Sequence, residues 1–386
     1  MKNSNMTLTI LLINLFIAFL GIGLVIPVLP TLMNELHITG KVLGYLVAAF
    51  ALTQLAVSPF AGKLVDSIGR KKMIVFGLFF FSFSELLFAM GNSLYVLFLS
   101  RMLGGVSAAF IMPAVTAFIA DITTIDERPK ALGYMSASIS TGFIIGPGIG
   151  GFLAEYGTRV PFFFAALIAC IAAILSILLL REPNRPVEEI EVVQVKGIKR
   201  IISPLYFTAF ILIFISAFGL ASFEAIFGLF VDHKFQFTPK DIAIAITGGA
   251  MVGAFAQVVL FDWLARHLGE VKLITYCLLV SAVLVFAVTV AFSYMSILIV
   301  TIIAFIGFDL MRPAVTSYLS KVAGNEQGFV GGMNSMFTSI GNVFGPIIGG
   351  MLFDKNVDFP FIFAAIVLTV GTILAFRWKT PEQLQV

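Results

Sequence analysis

Gly142-Phe-Ile-Ile-Gly-Pro-Gly-Ile-Gly-Gly151 returns about 200 residues later as Gly341-Asn-Val-Phe-Gly-Pro-Ile-Ile-Gly-Gly350. Each copy is followed by a Pro-Phe pair, Pro161-Phe162 in the first and Pro360-Phe361 in the second. Working outward, Pro113-Ala114-Val115-Thr116 returns as Pro313-Ala314-Val315-Thr316, and Gly69, Lys72 and Ile74 return as Gly269, Lys272 and Ile274. Apolar composition alone does not keep one register across several segments. The chain therefore reads as two copies of one structural unit.

What that unit is follows from the solvent it needs. Of the 386 residues 59% are hydrophobic and 12% charged, against about 25% charged in soluble globular chains. Windows of about 19 residues give apolar spans near 7–30, 43–62, 73–91, 94–119, 131–153 and 161–180 in the first half. The second half has them near 204–229, 241–261, 271–292, 294–319, 328–353 and 359–378. Each is long enough to cross about 30 Å of hydrocarbon as a helix, and none shows the alternation of a membrane barrel strand. The expected fold is an all-α membrane protein of twelve transmembrane helices in two six-helix pseudo-repeats, 1–180 and 204–386. Between them, 181–203 holds Pro183, Pro186, Glu188, Glu189 and Glu191 and reads as a cytoplasmic linker. The first span exceeds a signal-peptide core and no small-residue cleavage site follows it, so it reads as a retained helix.

Six spans per half give both copies the same orientation, relating them by an axis along the membrane normal. In transporters of that plan the substrate site lies near the midplane, and access alternates as one bundle rocks against the other. Of 24 Lys and Arg, 17 fall on the side of the two termini, five on the opposite side, and Arg101 and Arg312 inside spans. Basic residues favour cytoplasmic loops, which puts both termini of this multi-pass chain in the cytoplasm.

Several chemistries are excluded. Cys170 and Cys277 both fall in apolar spans, and His37, His233 and His267 fall in loops. Neither a disulfide, a metal site nor a histidine proton relay in the bilayer is expected. Gly146, Gly148 and Gly151 satisfy G-x-G-x-x-G but lie inside an apolar span and follow no strand. No G-x-x-x-x-G-K-[ST] loop is present. Neither a dinucleotide nor ATP is implied, so no enzyme activity, no cofactor and no nucleic-acid partner is expected. Work would come from an ion gradient or from the substrate's own gradient.

The loop after the second span reads Gly62-Lys-Leu64-Val-Asp66-Ser-Ile-Gly69-Arg70-Lys71-Lys72. It resembles the cytoplasmic signature of the major facilitator superfamily, with Val65 and Ser67 departing from the usual pattern. In physical terms Gly62 allows close helix approach, and Asp66 can face a helix N-terminus or a basic side chain. Lys71 and Lys72 need no role beyond fixing topology. The run containing Gly142, Gly146, Pro147, Gly150 and Gly151 resembles the helix-five motif of antiporters in that superfamily. Close helix packing accounts for it as well as gating does. Gly21, Gly23, Pro27 and Pro30 on helix one, and Leu99, Arg101, Gly104 and Gly105 on helix four, resemble further motifs of its drug exporters. Together they cover nearly the whole chain and are similar to the twelve-helix drug:proton antiporters of Gram-positive bacteria.

The resemblance implies a major facilitator fold and proton-coupled export of diverse amphipathic, mostly cationic compounds across a bacterial plasma membrane. It also implies a chain that works as a monomer in the lipid bilayer. A major facilitator for a sugar or metabolite is the rival reading. Helices one, four, seven and ten, which line the superfamily's cavity, carry few of the amides and carboxylates that hydroxyls require.

Five ionisable residues lie well inside spans: Glu85, Arg101, Glu224, Asp309 and Arg312. At about 2.5–3.5 kcal/mol each for Arg and Asp at a helix centre, such residues are functional by default. Asp309 and Arg312 share a helix face at i and i+3, the spacing of a local neutral pair. Glu224 has no basic residue in its own span, which suits it to carry a proton and release it to an arriving cation; Arg101 is a candidate partner that would oppose this. Glu85 lies outside the lining helices and ranks lower. Phe305, four residues from Asp309, and Phe143 are aromatic cavity candidates. By position in the resembled motifs Ile22, Phe50, Gln54, Met112 and Asn342 join them. Aromatic faces with few polar anchors suit flat hydrophobic cations of varied shape.

Overall fold

A computed structural model describes residues 2–124, 127–183, 206–323 and 327–378, with the backbone alone at 2–5, 129, 327 and 328. Every regular element among them is helical. In the first half these are α1 (Lys2–Val25), α2 (Leu29–Glu35), α3 (Gly40–Ile68), α4 (Arg70–Met90), α5 (Leu94–Ile122), α6 (Arg128–Ala154) and α7 (Val160–Leu179). In the second they are α8 (Phe207–Phe235), α9 (Pro239–Val259), α10 (Phe261–Leu268), α11 (Glu270–Val290), α12 (Tyr294–Ala323), α13 (Gln327–Phe353) and α14 (Phe359–Phe376). They supply 12 spans long and apolar enough to cross a membrane, as the hydropathy windows predict.

The helices overrun those windows where polar residues follow the apolar core. The second span runs on to Ile68 and the tenth to Ala323. Backbone hydrogen bonding continues past the hydrocarbon edge, which a hydropathy window cannot see. The first span is interrupted at Ile26–Val28 by a 3₁₀ turn holding Pro27, with Pro30 just after it. The two prolines remove N–H donors there. Gly69 and Gly269 open α4 and α11 at φ +125° and +77°. Side chains are strained in that region, so the repeat keeps glycine at both turns.

The halves repeat their packing as well as their sequence. In the first, α1 packs on α6 and α7, and α4 on α5 and α7; in the second, α8 packs on α13 and α14, and α11 on α12 and α14. Glycines set the closest of these contacts. A Cβ built on Gly142 would stand 2.8 Å from the Phe16 carbonyl of α1, and one on Gly146 2.7 Å from that of Leu20. Gly341 and Gly345 meet the α8 backbone at Phe218 in the same way, each at 2.7 Å. The antiporter-like run and its copy thus bring backbones together as small-residue interfaces do in membranes.

Cα packing groups the chain into two compact units. Of the described residues the first comprises 2–38, 49–124, 127–183 and 237–247, and the second 39–48, 206–236, 248–323 and 327–378. The short segments 39–48 and 237–247 thus group with the opposite half of the sequence. Within the second unit Asp354 accepts hydrogen bonds from the Gly40 and Lys41 amides at 2.7 and 3.0 Å, capping α3. Within the first, Lys240 pairs with Glu155 at 2.9 Å. The linker expected at 181–203 lies outside the described residues from 184 onward.

Gly62 departs from expectation. A Cβ there would meet nothing within 4 Å, so it makes no close helix approach in this structure. Its neighbours Lys63 and Leu64 are exposed, and the inward positions of that turn are taken by Ala61 and Val65.

Candidate functional site

α12 carries Phe305, Asp309 and Arg312 along one face, at i, i+4 and i+7, while Ala304, Phe308 and Met311 on its other positions are buried. From α8 comes Glu224, preceded by Phe223. The Phe223 ring stands 6.1 Å from that of Phe305 at 83°, edge to face, and stacks on Phe227 at 5.2 Å. Glu224, Asp309 and Arg312 act on one another electrostatically. Glu224 and Asp309 are half-buried and Arg312 is exposed. Among the described residues no ion pair joins Asp309 to Arg312. Two carboxylates and one guanidinium thus lie within electrostatic reach of one another in the second unit, beside the buried Phe223–Phe305 ring pair.

Phe305 is more enclosed than a cavity wall would be. It is 4% exposed, with its ring against Phe223 and Gly249. Asn342 on α13 is exposed. In the first unit Phe50 and Gln54 on α3 lie against Gly104 and Gly105 of α5, and the Met112 carbonyl accepts from Thr116 Oγ1 at 2.9 Å. Phe143 contacts Phe19 with centroids 5.0 Å apart and remains 39% exposed. Ile22 is half-buried on α1.

Arg101 is engaged differently from the sequence reading, which offered it to Glu224. Its guanidinium lies 3.1 Å from the buried Glu85 carboxylate and 4.1 Å over the Phe88 ring. Glu85, ranked low by helix position, is thus the counter-charge that makes a buried arginine tolerable. No sequence spacing links the two, because they meet across α4 and α5.

The signature loop forms a network around Arg70. Its guanidinium contacts Asp66 and Asp121, each at 2.9 Å, and donates to the Val65 carbonyl at 3.0 Å. Glu182 accepts from the Arg70 and Lys71 amides at 2.5 and 3.0 Å, filling the α4 N-terminus. Asp121 and Glu182 escaped the sequence reading, yet the repeat held a signal. At the spacing that relates Gly69 to Gly269, Arg70 corresponds to Glu270 and Asp121 to Lys321. Glu270 and Lys321 are themselves paired, so the second unit keeps the ion pair with its signs exchanged. Asp66, Gly69 and Arg70 therefore form a joint between α3, α4 and α5.

A family model described as Major Facilitator Superfamily matches residues 11–323 and 209–385. The chain is 68% identical to Multidrug resistance protein 1 of Bacillus subtilis (strain 168), over 100% of this chain and 99% of that one. It is 45% identical to Quinolone resistance protein NorA of Staphylococcus aureus (strain N315), covering 98% and 99% of the two chains. Among solved structures, a bacterial homolog of the human lysosomal transporter Spinster, inward-facing and unoccupied, superimposes with a TM-score of 0.84. At 16% identity over 97% of this chain and 96% of that one, this likeness speaks for the fold.

Proposed function

The chain belongs to the major facilitator superfamily, and from that premise we propose that it exports hydrophobic, mostly cationic drugs in exchange for protons by alternating access. The observation that carries this reading is the gathering of Glu224 and Asp309 with Phe223 and Phe305, beside an Arg312 that pairs with neither acid. Relatives named for multidrug and quinolone resistance supply the substrate class.

The chemistry is a competition. Removing a carboxylate from water disfavours its charged form, while a bound cation favours it. A cation entering beside Glu224 and Asp309 takes the place of the proton, and a proton arriving from the other side expels the cation. Aromatic faces hold flat cations through cation-π attraction and apolar contact, neither of which demands one shape. Ile22, Phe50, Gln54, Met112, Phe143 and Asn342 are proposed to border the path, with Arg312 tuning Asp309. Asp66, Gly69 and Arg70, together with Gly142, Gly146, Pro147, Gly150 and Gly151, govern movement between states. The exporter acts as a monomer in a bacterial plasma membrane with both termini in the cytoplasm.

Purified protein in liposomes, given an inward proton gradient from the side of drug release, should concentrate a fluorescent monocation uphill. Collapse of the pH gradient should stop it. Accumulation that persists without any gradient would contradict antiport. For orientation, a cysteine at Glu189 should react only with reagents that reach the cytoplasm, and one at Asn356 with impermeant reagents on intact cells.

A further inference from the structure

We infer that Gly253 of α9 is a positioning residue for the Asp309 carboxylate, and thereby sets how strongly the site holds a cation. The inference rests on the reading of Asp309 given above. In the second unit Oδ2 of Asp309 occupies the space that a Cβ on Gly253 would fill, with Asp309 Cγ 2.9 Å and Cβ 3.2 Å from the same point. One turn away, Gly249 leaves equivalent room for the Phe305 ring. The α9 backbone is thus a floor on which the acid and its neighbouring aromatic both rest.

The first unit shows that this arrangement is particular to the acid. At the offset of 200 residues that relates Pro113 to Pro313, Asp309 corresponds to Ala109 and Gly253 to Thr53. Phe305 corresponds to Gly105, where an added Cβ would stand 3.0 Å from Thr53 Cβ. Where α5 is small, α3 bears the side chain; where α12 bears Phe305 and Asp309, α9 is glycine. Packing of two helices needs only one partner to be small, and the repeat satisfies that need with the opposite helix in each unit. In the second unit the choice leaves the carboxylate seated on backbone, half-buried and away from any fixed counter-ion. A methyl on Gly253 would drive Oδ2 out of that seat by rotation of the short Asp309 side chain.

The test uses equilibrium binding of ethidium, a monocation, and of N-phenylnaphthylamine, a neutral aromatic, to the purified full chain near pH 8. Gly253→Ala should weaken ethidium about tenfold while leaving the neutral probe within about twofold. With Asp309→Ala already present, Gly253→Ala should add less than about twofold, since no carboxylate remains to displace. If Gly253→Ala alone does not fold, recovery of folding in the double variant supports the same contact. Ethidium binding unchanged by Gly253→Ala, equal weakening of both probes, or a further loss or misfolding in the double variant would each overturn the inference. If Asp309→Ala itself leaves ethidium binding intact, the reading of Asp309 as a cation anchor fails instead.

Discussion

Arg101 of α5 and Glu85 of α4 are 3.1 Å apart with side chains 12% and 2% exposed, so a full charge pair is enclosed between two membrane-crossing helices. Removing one partner of such a pair leaves the other uncompensated and costs about 3–5 kcal/mol, whereas replacing both by apolar residues of similar volume is close to neutral. Glu85→Ala should therefore lower the melting temperature sharply, and Glu85→Met with Arg101→Met should restore most of it. Thermal unfolding of the detergent-solubilised variants measures this. If the double variant were no more stable than either single one, the pair would not be the reason for the loss.

The Arg70 network predicts an order of effects. Asp66 and Asp121 hold the same guanidinium at 2.9 Å, with Asp66 50% exposed and Asp121 23%. The less solvated partner holds more strongly. Asp66→Asn should reduce transport about tenfold with drug binding within about twofold, because the change acts on conformational populations and not on the site. Asp121→Asn should reduce transport at least as much. Transport rates and equilibrium binding on the same preparations decide it, and a parallel loss of binding would show that the network acts on the site.

Glycines with neighbours and glycines without them should behave oppositely. Gly146→Ala puts a methyl 2.7 Å from the Leu20 carbonyl, whereas Gly62→Ala meets open space. Overpacking of this kind costs about 1–3 kcal/mol. Gly146→Ala should lose yield and several degrees of melting temperature, while Gly62→Ala should match the parent. Fluorescence-detected size exclusion after heating reports both, and a destabilised Gly62→Ala would place a contact there that the structure lacks.

How much of this was legible in the sequence depended on the range of the interaction. Each span could be read because one helix satisfies its own backbone and must be apolar throughout, so Phe207–Phe235 announces itself locally. The repeat placed Gly142 and Gly341 as equivalents before any contact was known. Partners across helices were hidden. Glu182 reaches Arg70 over 112 positions, and Asn14 donates to Ser176 Oγ at 2.8 Å over 162, with no pattern to mark either. Glu224 and Asp309 stood out as ionisable residues in apolar runs, but the emptiness of Gly253 beneath Asp309 is a property of two helices together. Hydropathy also gave no sign that Arg312 would stay apart from Asp309 three residues away, since side-chain direction decides that pairing.

The claim that Glu224 carries the exchanged proton is tested most directly by efflux of a monocation in inverted membrane vesicles, driven by an imposed pH gradient, from about pH 5.5 to about pH 8.5. Parent, Glu224→Gln and Asp309→Asn are compared. Glu224→Gln cannot release a proton, so it should lose uphill export throughout the range while still equilibrating the cation down its gradient. Asp309→Asn should bind the cation more weakly yet keep a residual response to the pH gradient. Uphill, gradient-driven export of the monocation by Glu224→Gln would contradict the assignment.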